Sequence, residues 1–410
     1  MLINKPPDNF KLLDIPLMLA LLVLLSFGLL AVFSATQNAN PAIANNFSKQ
    51  LVWVLVGLVV FTITMLTPLK VFQKYAYIFY GISLALLVLV LVVGGGAGVK
   101  RWFLIGPFRF QPAEVAKIAT IFALARFISQ EHRNLNKLID IGLAFAIVVG
   151  PMLLIMKEPD LGTALVFPAI ILPVLFWAGL SLFTAFLIIA PLLSLVAAFN
   201  LTAFFIVMGI IIGVMVVSGR GLKVIVPNFL LNVGVGIITP LLWDHLHKYQ
   251  QSRILTFLGV EQDPRGIGYQ VLQSKVAIGS GGLWGKGIGD GTQTQLRFLP
   301  EQHTDFIFSV IGEEVGFLGV LLVLLLFLFI IWRSLNIAQS CKSRFASLVV
   351  VGAAMVICFH VMINTGMTVG IMPVTGLPLP FLSYGGSAML SNMVLMGLIV
   401  GAGLRRFEYF

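Results

Sequence analysis

The stretch RFLPEQHTDFIFSVIGEEVGFLGV, residues 297 to 320, sets His303 and Asp305 at the mouth of an apolar segment that continues through Glu313 and Glu314. Carboxylates at the edge of a membrane segment, or inside one, are costly unless they are paired or face a polar cavity, which marks them as functional candidates. Asp305 suits two jobs: capping the helix that opens there, or acting as a catalytic carboxylate. Its place ahead of two glutamates and beside basic residues favours catalysis. Glu313 and Glu314 are adjacent and cannot share a helix face, so at least one should pair within the bundle.

Three further constellations carry chemistry. Lys100, Arg101, Trp102 and Arg109 precede Gln111-Pro112-Ala113-Glu114-Val115-Ala116-Lys117. Pro112 suits the first turn of a helix, and Glu114 and Lys117, three apart, share one face of it. A structural ion pair is one reading; the basic cluster outside it adds affinity for phosphate and favours a lipid-pyrophosphate site. In Lys157-Glu158-Pro159-Asp160-Leu161-Gly162-Thr163, Asp160 stands where an N-cap belongs, with a role at a cavity left open. The long loop 244–305 carries His245, His247, Arg253, Asp263, Arg265, Lys275 and Asp290, and loops of that length are usually functional. His245 and His247 lack a further ligand at metal spacing and read as interfacial residues.

The glycine-rich tract 279–291, GSGGLWGKGIGDG, fails both nucleotide templates. Ser280 stands where a P-loop needs Gly, Gly287 where it needs Ser or Thr, and no GxGxxG register closes. Close backbone packing is preferred over anion cradling, which Lys275 and Lys286 keep open.

These residues must be positioned by a membrane bundle. The chain is 59% hydrophobic and 10% charged, with a mean hydropathy of +1.02, far from a soluble domain. Apolar runs near 12–34, 50–67, 76–93, 113–129, 139–156, 161–179, 182–198, 201–218, 224–243, 306–332, 346–365 and 386–404 predict an all-α polytopic protein of about 10 to 12 transmembrane helices. The stretch 182–243, interrupted by Pro191, Pro227 and Pro240, is the least regular. Lys5, Lys11, Lys70, Lys74, Arg126, Arg133, Lys137, Arg220, Lys223, Arg333, Lys342, Arg344, Arg405 and Arg406 fall on one side if the N-terminus is cytoplasmic. Both termini are then inside, and 94–112, 157–160, 244–305 and 366–385 face outward. The first apolar run reads as a retained span, not a cleaved signal peptide. The net charge of +10 reflects topology and anionic lipid, with no nucleic-acid partner. Cys341 and Cys358 offer no disulfide framework.

The strings Arg101-Trp102, Phe110 to Lys117, Glu158 to Thr163, Gln273-Ser274-Lys275, Gly281 to Gly287, Gly291 to Leu296, His303 to Phe308 and Pro378 to Ser387 strongly resemble the SEDS family (shape, elongation, division and sporulation). The form GTQTQLRFLPEQHTDF is nearer its elongation branch than its division branch. The resemblance covers about residues 12–404. It implies a multi-pass peptidoglycan glycosyltransferase of the bacterial cytoplasmic membrane, polymerising lipid II on the outer face with a class B penicillin-binding protein and the elongation machinery. It places Asp305 on the essential carboxylate, and Arg101, Trp102, Arg109, Glu114, Lys117, Asp160 and Lys275 around the substrate cavity. Members have about ten spans, so 182–243 would hold a two-helix insertion within one membrane domain. An inverting displacement needs a base at the acceptor hydroxyl, for which Asp305 is proposed, and cations at the departing pyrophosphate, with a divalent ion (Mg or Mn, ligands unassigned) in support. A lipid II flippase is the rival reading, since intramembrane charges suit a transporter too.

Overall fold

The computed structural model describes residues 12–37, 45–95, 100–106, 108–133, 135, 137–219, 221–244, 248–257 and 266–409. Its helices are α1 (Ile15–Thr36), α2 (Asn46–Leu66), α3 (Leu69–Val93), α4 (Pro112–Ser129), α5 (Leu138–Lys157), α6 (Leu161–Trp177), α7 (Leu182–Ala197), α8 (Leu201–Val217), α9 (Leu222–Asp244), α10 (Lys248–Phe257), α11 (Ile267–Ser280), α12 (Thr292–Gln295), α13 (Ile307–Glu314), α14 (Gly316–Ser340), α15 (Arg344–Thr368) and α16 (Gly386–Leu404). Among the described residues eight helices are long and apolar enough to cross a membrane, and α6, α7 and α8 are shorter apolar ones. Helix α4 carries Glu114, Lys117 and Arg126 among its apolar residues.

Each apolar run in the sequence corresponds to a helix, with one correction. The run 306–332 is two helices, α13 and α14, broken at Val315 and Gly316, where Gly316 takes a φ of +71°. The irregularity expected from Pro191, Pro227 and Pro240 does not appear: all three lie inside continuous helices. Neighbouring groups in a bundle can take up the bonds a proline frees. Between α3 and α4 an unforeseen hairpin forms from β1 (Phe103–Ile105) and β2 (Phe108–Phe110), pairing Phe103 with Phe110 and Leu104 with Arg109. The loop 244–305 is largely helical where described, through α10, α11 and α12; His245, His247, Asp263 and Arg265 lie outside the described residues.

The chain divides into two compact units, Met1–Val174 with Leu255–Phe410, and Leu175–Ile254. In the smaller, α7, α8 and α9 pack around Ala190, Met208, Ile211 and Met215, and Ser194 donates to Asn232 at 2.7 Å so that no polar atom of that pair is stranded. In the larger, α16 lies against α2 through Gly397 and Gly401, where a Cβ would come within 2.8 Å of the Phe61 and Met65 carbonyls. Small residues four apart let two membrane helices approach this closely.

Several basic side chains of this unit bond neighbouring helices. Arg126 donates to the Gln73 carbonyl at 2.7 Å and Arg405 to that of Met65 at 2.8 Å. Arg333 pairs at 2.6 Å with Asp14, which also caps α1 through the Leu17 N–H. The Arg405 contact, at the C-terminal end of α2, is a favourable use of a cation at a helix end.

The glycine-rich tract resolves in favour of backbone packing. The break between α13 and α14 strands backbone groups, and the tract supplies their partners. Lys286 and Gly287 donate their N–H groups to the Glu313 and Glu314 carbonyls, each at 3.0 Å, and the Phe317 N–H reaches the Gly282 carbonyl at 2.9 Å. A Cβ on Gly281 or Gly285 would strike the Gly312 or Glu314 carbonyl. The fully buried Glu313 carboxylate accepts from Lys286 Nζ at 2.8 Å and from the N–H groups of Gln293 and Thr294 at 2.8 and 3.0 Å. Glu314 accepts from Ser34 Oγ. Both glutamates therefore pair within the bundle.

Two outcomes follow for thermal unfolding of the purified protein in detergent. Gly401→Leu should cost about 1–3 kcal/mol by overpacking, whereas Gly142→Ala, with nothing within 4 Å of its Cβ position, should be neutral or slightly stabilising. Lys286→Met should cost about 3 kcal/mol because it leaves Glu313 as a buried charge without its counterion; equal melting temperatures for wild type and Lys286→Met would contradict that account.

Candidate functional site

The segment 369–385 between α15 and α16 is the meeting point of the four constellations. Gly162, in the first turn of α6, packs so closely on Thr375 that a Cβ would lie 2.6 Å from its carbonyl. Next along, Gly376 faces Asp305: a Cβ there would stand 3.4 Å from Oδ2. Asn364, on α15, donates to the Leu377 carbonyl at 2.8 Å and to the Asp305 carbonyl at 2.9 Å. Helix α13 begins with Phe306 as its cap residue, which puts Asp305 one residue ahead of the cap position. The Asp305 side chain is partly exposed.

Glu114 and Lys117 form the expected pair on α4, 2.9 Å apart and buried, with Lys117 only 1% exposed. His360 of α15 stands 3.2 Å from Lys117 Nζ. Pro112 occupies the first turn of α4 as its sequence position predicts. Asp160 caps α6, accepting from the Thr163 N–H at 3.1 Å and hydroxyl at 3.0 Å, and it also receives Gln111 Nε2 at 3.4 Å. Capping and a place at the site thus coexist in one residue.

Arg101 wraps the turn between α5 and α6. Its Nε donates to the Glu158 carbonyl at 2.9 Å, an Nη reaches the Pro159 carbonyl, and the guanidinium lies 3.8 Å from Asp160. Trp102 bridges to Gly95 and is partly exposed. Arg109 is exposed on β2 and faces Tyr384, whose phenol is pushed up by burial and drawn back by that guanidinium. The Ser387 hydroxyl donates to the Arg109 carbonyl at 2.8 Å and accepts from the Gln111 N–H at 3.3 Å. Lys275, exposed on α11, lies along Gly370, while its neighbour Ser274 is buried and bonds the Thr368 carbonyl at 2.6 Å.

Burial shifts further titratable groups. His303, whose ring lies 5.6 Å from that of Tyr384, is lowered from its ordinary value by desolvation, with Glu301 opposing, and is neutral at pH 7. Glu158 is 1% exposed and neither carboxyl oxygen has a hydrogen-bond partner. Burial, with Asp160 beside it and Arg101 opposing, pushes its carboxyl up to about 8. Burial also pushes the Cys341 thiol up to about 12, so it is no nucleophile. Among the described residues no three His, Cys, Asp or Glu side chains converge as a metal cage.

The structure gathers Asp305, Asp160, Arg101, Glu114 and Lys117 around this segment together with His360, Asn364 and the Thr375–Leu377 backbone, which sequence reasoning passed over. A usable signal was present. A proline-rich, non-helical stretch of that length between two apolar helices is unusual for a compact domain.

The family model described as "Cell cycle protein", covering FtsW, RodA and SpoVE, matches residues 15–204 and 186–406. The chain is 36% identical to the peptidoglycan glycosyltransferase MrdB of Escherichia coli over 96% of this chain and 94% of that one. It is 33% identical to the stage V sporulation protein E of Bacillus subtilis, over 94% of this chain and 96% of that one. Among solved structures it resembles a chain reported under "Structural coordination of polymerization and crosslinking by a peptidoglycan synthase complex", with a TM-score of 0.72, 30% identity and coverage of 97% and 99%. It also resembles the Thermus thermophilus rod shape determining protein RodA, with a TM-score of 0.64, 26% identity and coverage of 97% and 98%. The chain belongs to the FtsW, RodA and SpoVE family of multi-pass membrane proteins.

Proposed function

We propose that this chain is a peptidoglycan glycosyltransferase that polymerises lipid II at the outer face of the bacterial cytoplasmic membrane during cell elongation. The observation that carries the reading is the placement of Asp305: a partly exposed residue just ahead of the cap position of α13, held by its backbone carbonyl against α15 with Gly376 against its carboxylate.

In the reaction Asp305 takes the proton of the acceptor sugar hydroxyl as that oxygen bonds the anomeric carbon of the donor, and the bond to pyrophosphate breaks with inversion. Cationic groups stabilise the charge that grows on the leaving oxygen. Arg109 and Lys275 are exposed and suited to the phosphates; Lys117 adds charge from its buried pair. Arg101 chiefly holds the turn that presents Asp160, and Trp102 lines the entrance. A divalent ion, with its protein ligands unassigned, would supply further charge against the pyrophosphate.

A class B penicillin-binding protein is the proposed partner, which the likeness to a chain of a peptidoglycan synthase complex supports. A two-helix insertion within 182–243 belongs to the same reading, and α7, α8 and α9 occupy that stretch. The cluster of buried Glu114, Lys117 and His360 is also what a lipid II flippase would show, and the polymerisation assay separates the two.

With lipid II, a divalent cation and the partner present, Asp305→Asn should slow polymer formation by about a hundredfold or more while leaving the melting temperature within error. Polymer made equally by both forms would remove Asp305 as base, and no polymer from wild type with flipping in vesicles would favour the flippase. Glu158 gives a pH signature. Its folded-state value of about 8 lies above the ordinary 4.5, so the folded protein binds the extra proton between those limits and stability falls as pH rises through that window. The melting temperature should therefore drop between pH 5 and pH 8.5 by more in wild type than in Glu158→Gln, and parallel curves would show that Glu158 is not the group responsible.

A further inference from the structure

His360 sits between two groups that each dictate its proton. On one side Nε2 is 3.2 Å from Lys117 Nζ, which also donates to Glu114 at 2.9 Å. On the other, Nδ1 is 3.2 Å from the Pro378 carbonyl oxygen. A carbonyl only accepts and an ammonium only donates. Nδ1 must therefore carry the hydrogen and Nε2 must be bare, so one neutral tautomer satisfies both contacts. A second proton would set an imidazolium against the Lys117 ammonium and remove its acceptor, in a site where His360 is 1% exposed.

The carbonyl that His360 holds is one residue beyond the one that Asn364 holds. His360 and Asn364 are one turn apart on α15 and so lie on the same face. Asn364 spends both amide hydrogens, one on the Leu377 carbonyl and one on the Asp305 carbonyl, and Gly376 lies against the Asp305 carboxylate. Two consecutive carbonyls are thus fixed from one helix face, with Lys117 on the far side of one clamp and Asp305 on the other. Pro378 has no N–H, so its carbonyl is the only backbone handle at that residue.

We propose that His360, as the Nδ1–H tautomer, is a positioning residue for polymerisation: it holds the Gly376–Pro378 backbone, and with it the Asp305 carboxylate, in register with the Glu114–Lys117 pair. The inference rests on Asp305 being the base.

Gln is the discriminating replacement, since its amide can accept from Lys117 through oxygen and donate to Pro378 through nitrogen, whereas Leu can do neither. The test uses the full chain with its class B partner and lipid II. The His360→Gln rate should stay within about threefold of wild type and the His360→Leu rate fall by at least tenfold, a rescue pattern that a purely space-filling role would not give. Nitrogen-15 spectra of the histidine-labelled protein, with His360→Gln identifying the resonance, should show a neutral ring protonated at Nδ1 at pH 7. Equal rates for His360→Leu and wild type, equal losses in both variants, or a ring protonated at Nε2 would each overturn the proposal. Absence of polymer from wild type would fail the polymerase reading itself, and the tautomer spectrum separates that failure from an error in the His360 geometry.

Discussion

Irregular backbone buried inside an apolar bundle must find a partner for every carbonyl and N–H, and the arrangement around residues 369–385 follows from that requirement. Asn364 and His360 take the Leu377 and Pro378 carbonyls. Gln50, on α2, donates to the Ser383 carbonyl at 3.1 Å and accepts from the Gly385 N–H at 3.3 Å, while the Ser383 hydroxyl accepts from the Leu379 N–H at 2.8 Å. Because Gln50 and the Asn364–His360 face come from helices far apart in sequence, satisfying this one segment draws α2 and α15 together around it. Gly28, against the Phe381 carbonyl, and Gly386, against the Trp53 ring, give the room this needs.

The break between α13 and α14 solves the same problem with different means. There the stranded groups pair with backbone N–H and C=O groups of the glycine-rich tract, and glycine is required because any side chain would separate the two backbones. At 369–385 side-chain amides, an imidazole and a hydroxyl join backbone bonds such as that from the Tyr384 N–H to the His303 carbonyl at 2.9 Å. Amides and imidazole reach from a helix face to the neighbouring segment, which is why those polar residues are buried on otherwise apolar helices.

Charge obeys the same constraint. A buried carboxylate is tolerable when paired and hydrogen-bonded, and Glu313, Glu114 and Asp160 each have local partners that hold them in place. Glu158 takes the other route open to a buried acid and stays protonated. At Asp305 the main-chain carbonyl is held by Asn364, and Gly376 lies against the carboxylate.

The sequence by itself determined the membrane class, the positions of the apolar helices, the pairing of Glu114 with Lys117 and the cap at Asp160. Each of these rests on local physics: hydropathy over a helix length, side chains three apart on one turn, an acid at a helix start. It did not determine that the run 306–332 would break, that Pro191, Pro227 and Pro240 would leave their helices intact, or that Arg101 would brace the turn at 158–160. Nor did it single out His360, an isolated histidine in an apolar run, whose significance appears only once Lys117, 243 residues away in sequence, lies beside it. Those features depend on which backbone groups are left without partners after the helices pack, and on which distant side chains come within hydrogen-bond reach. Only the tertiary structure decides that, because a hydrogen bond acts over about 3 Å and the chain pattern carries no information about separations of that size between remote residues.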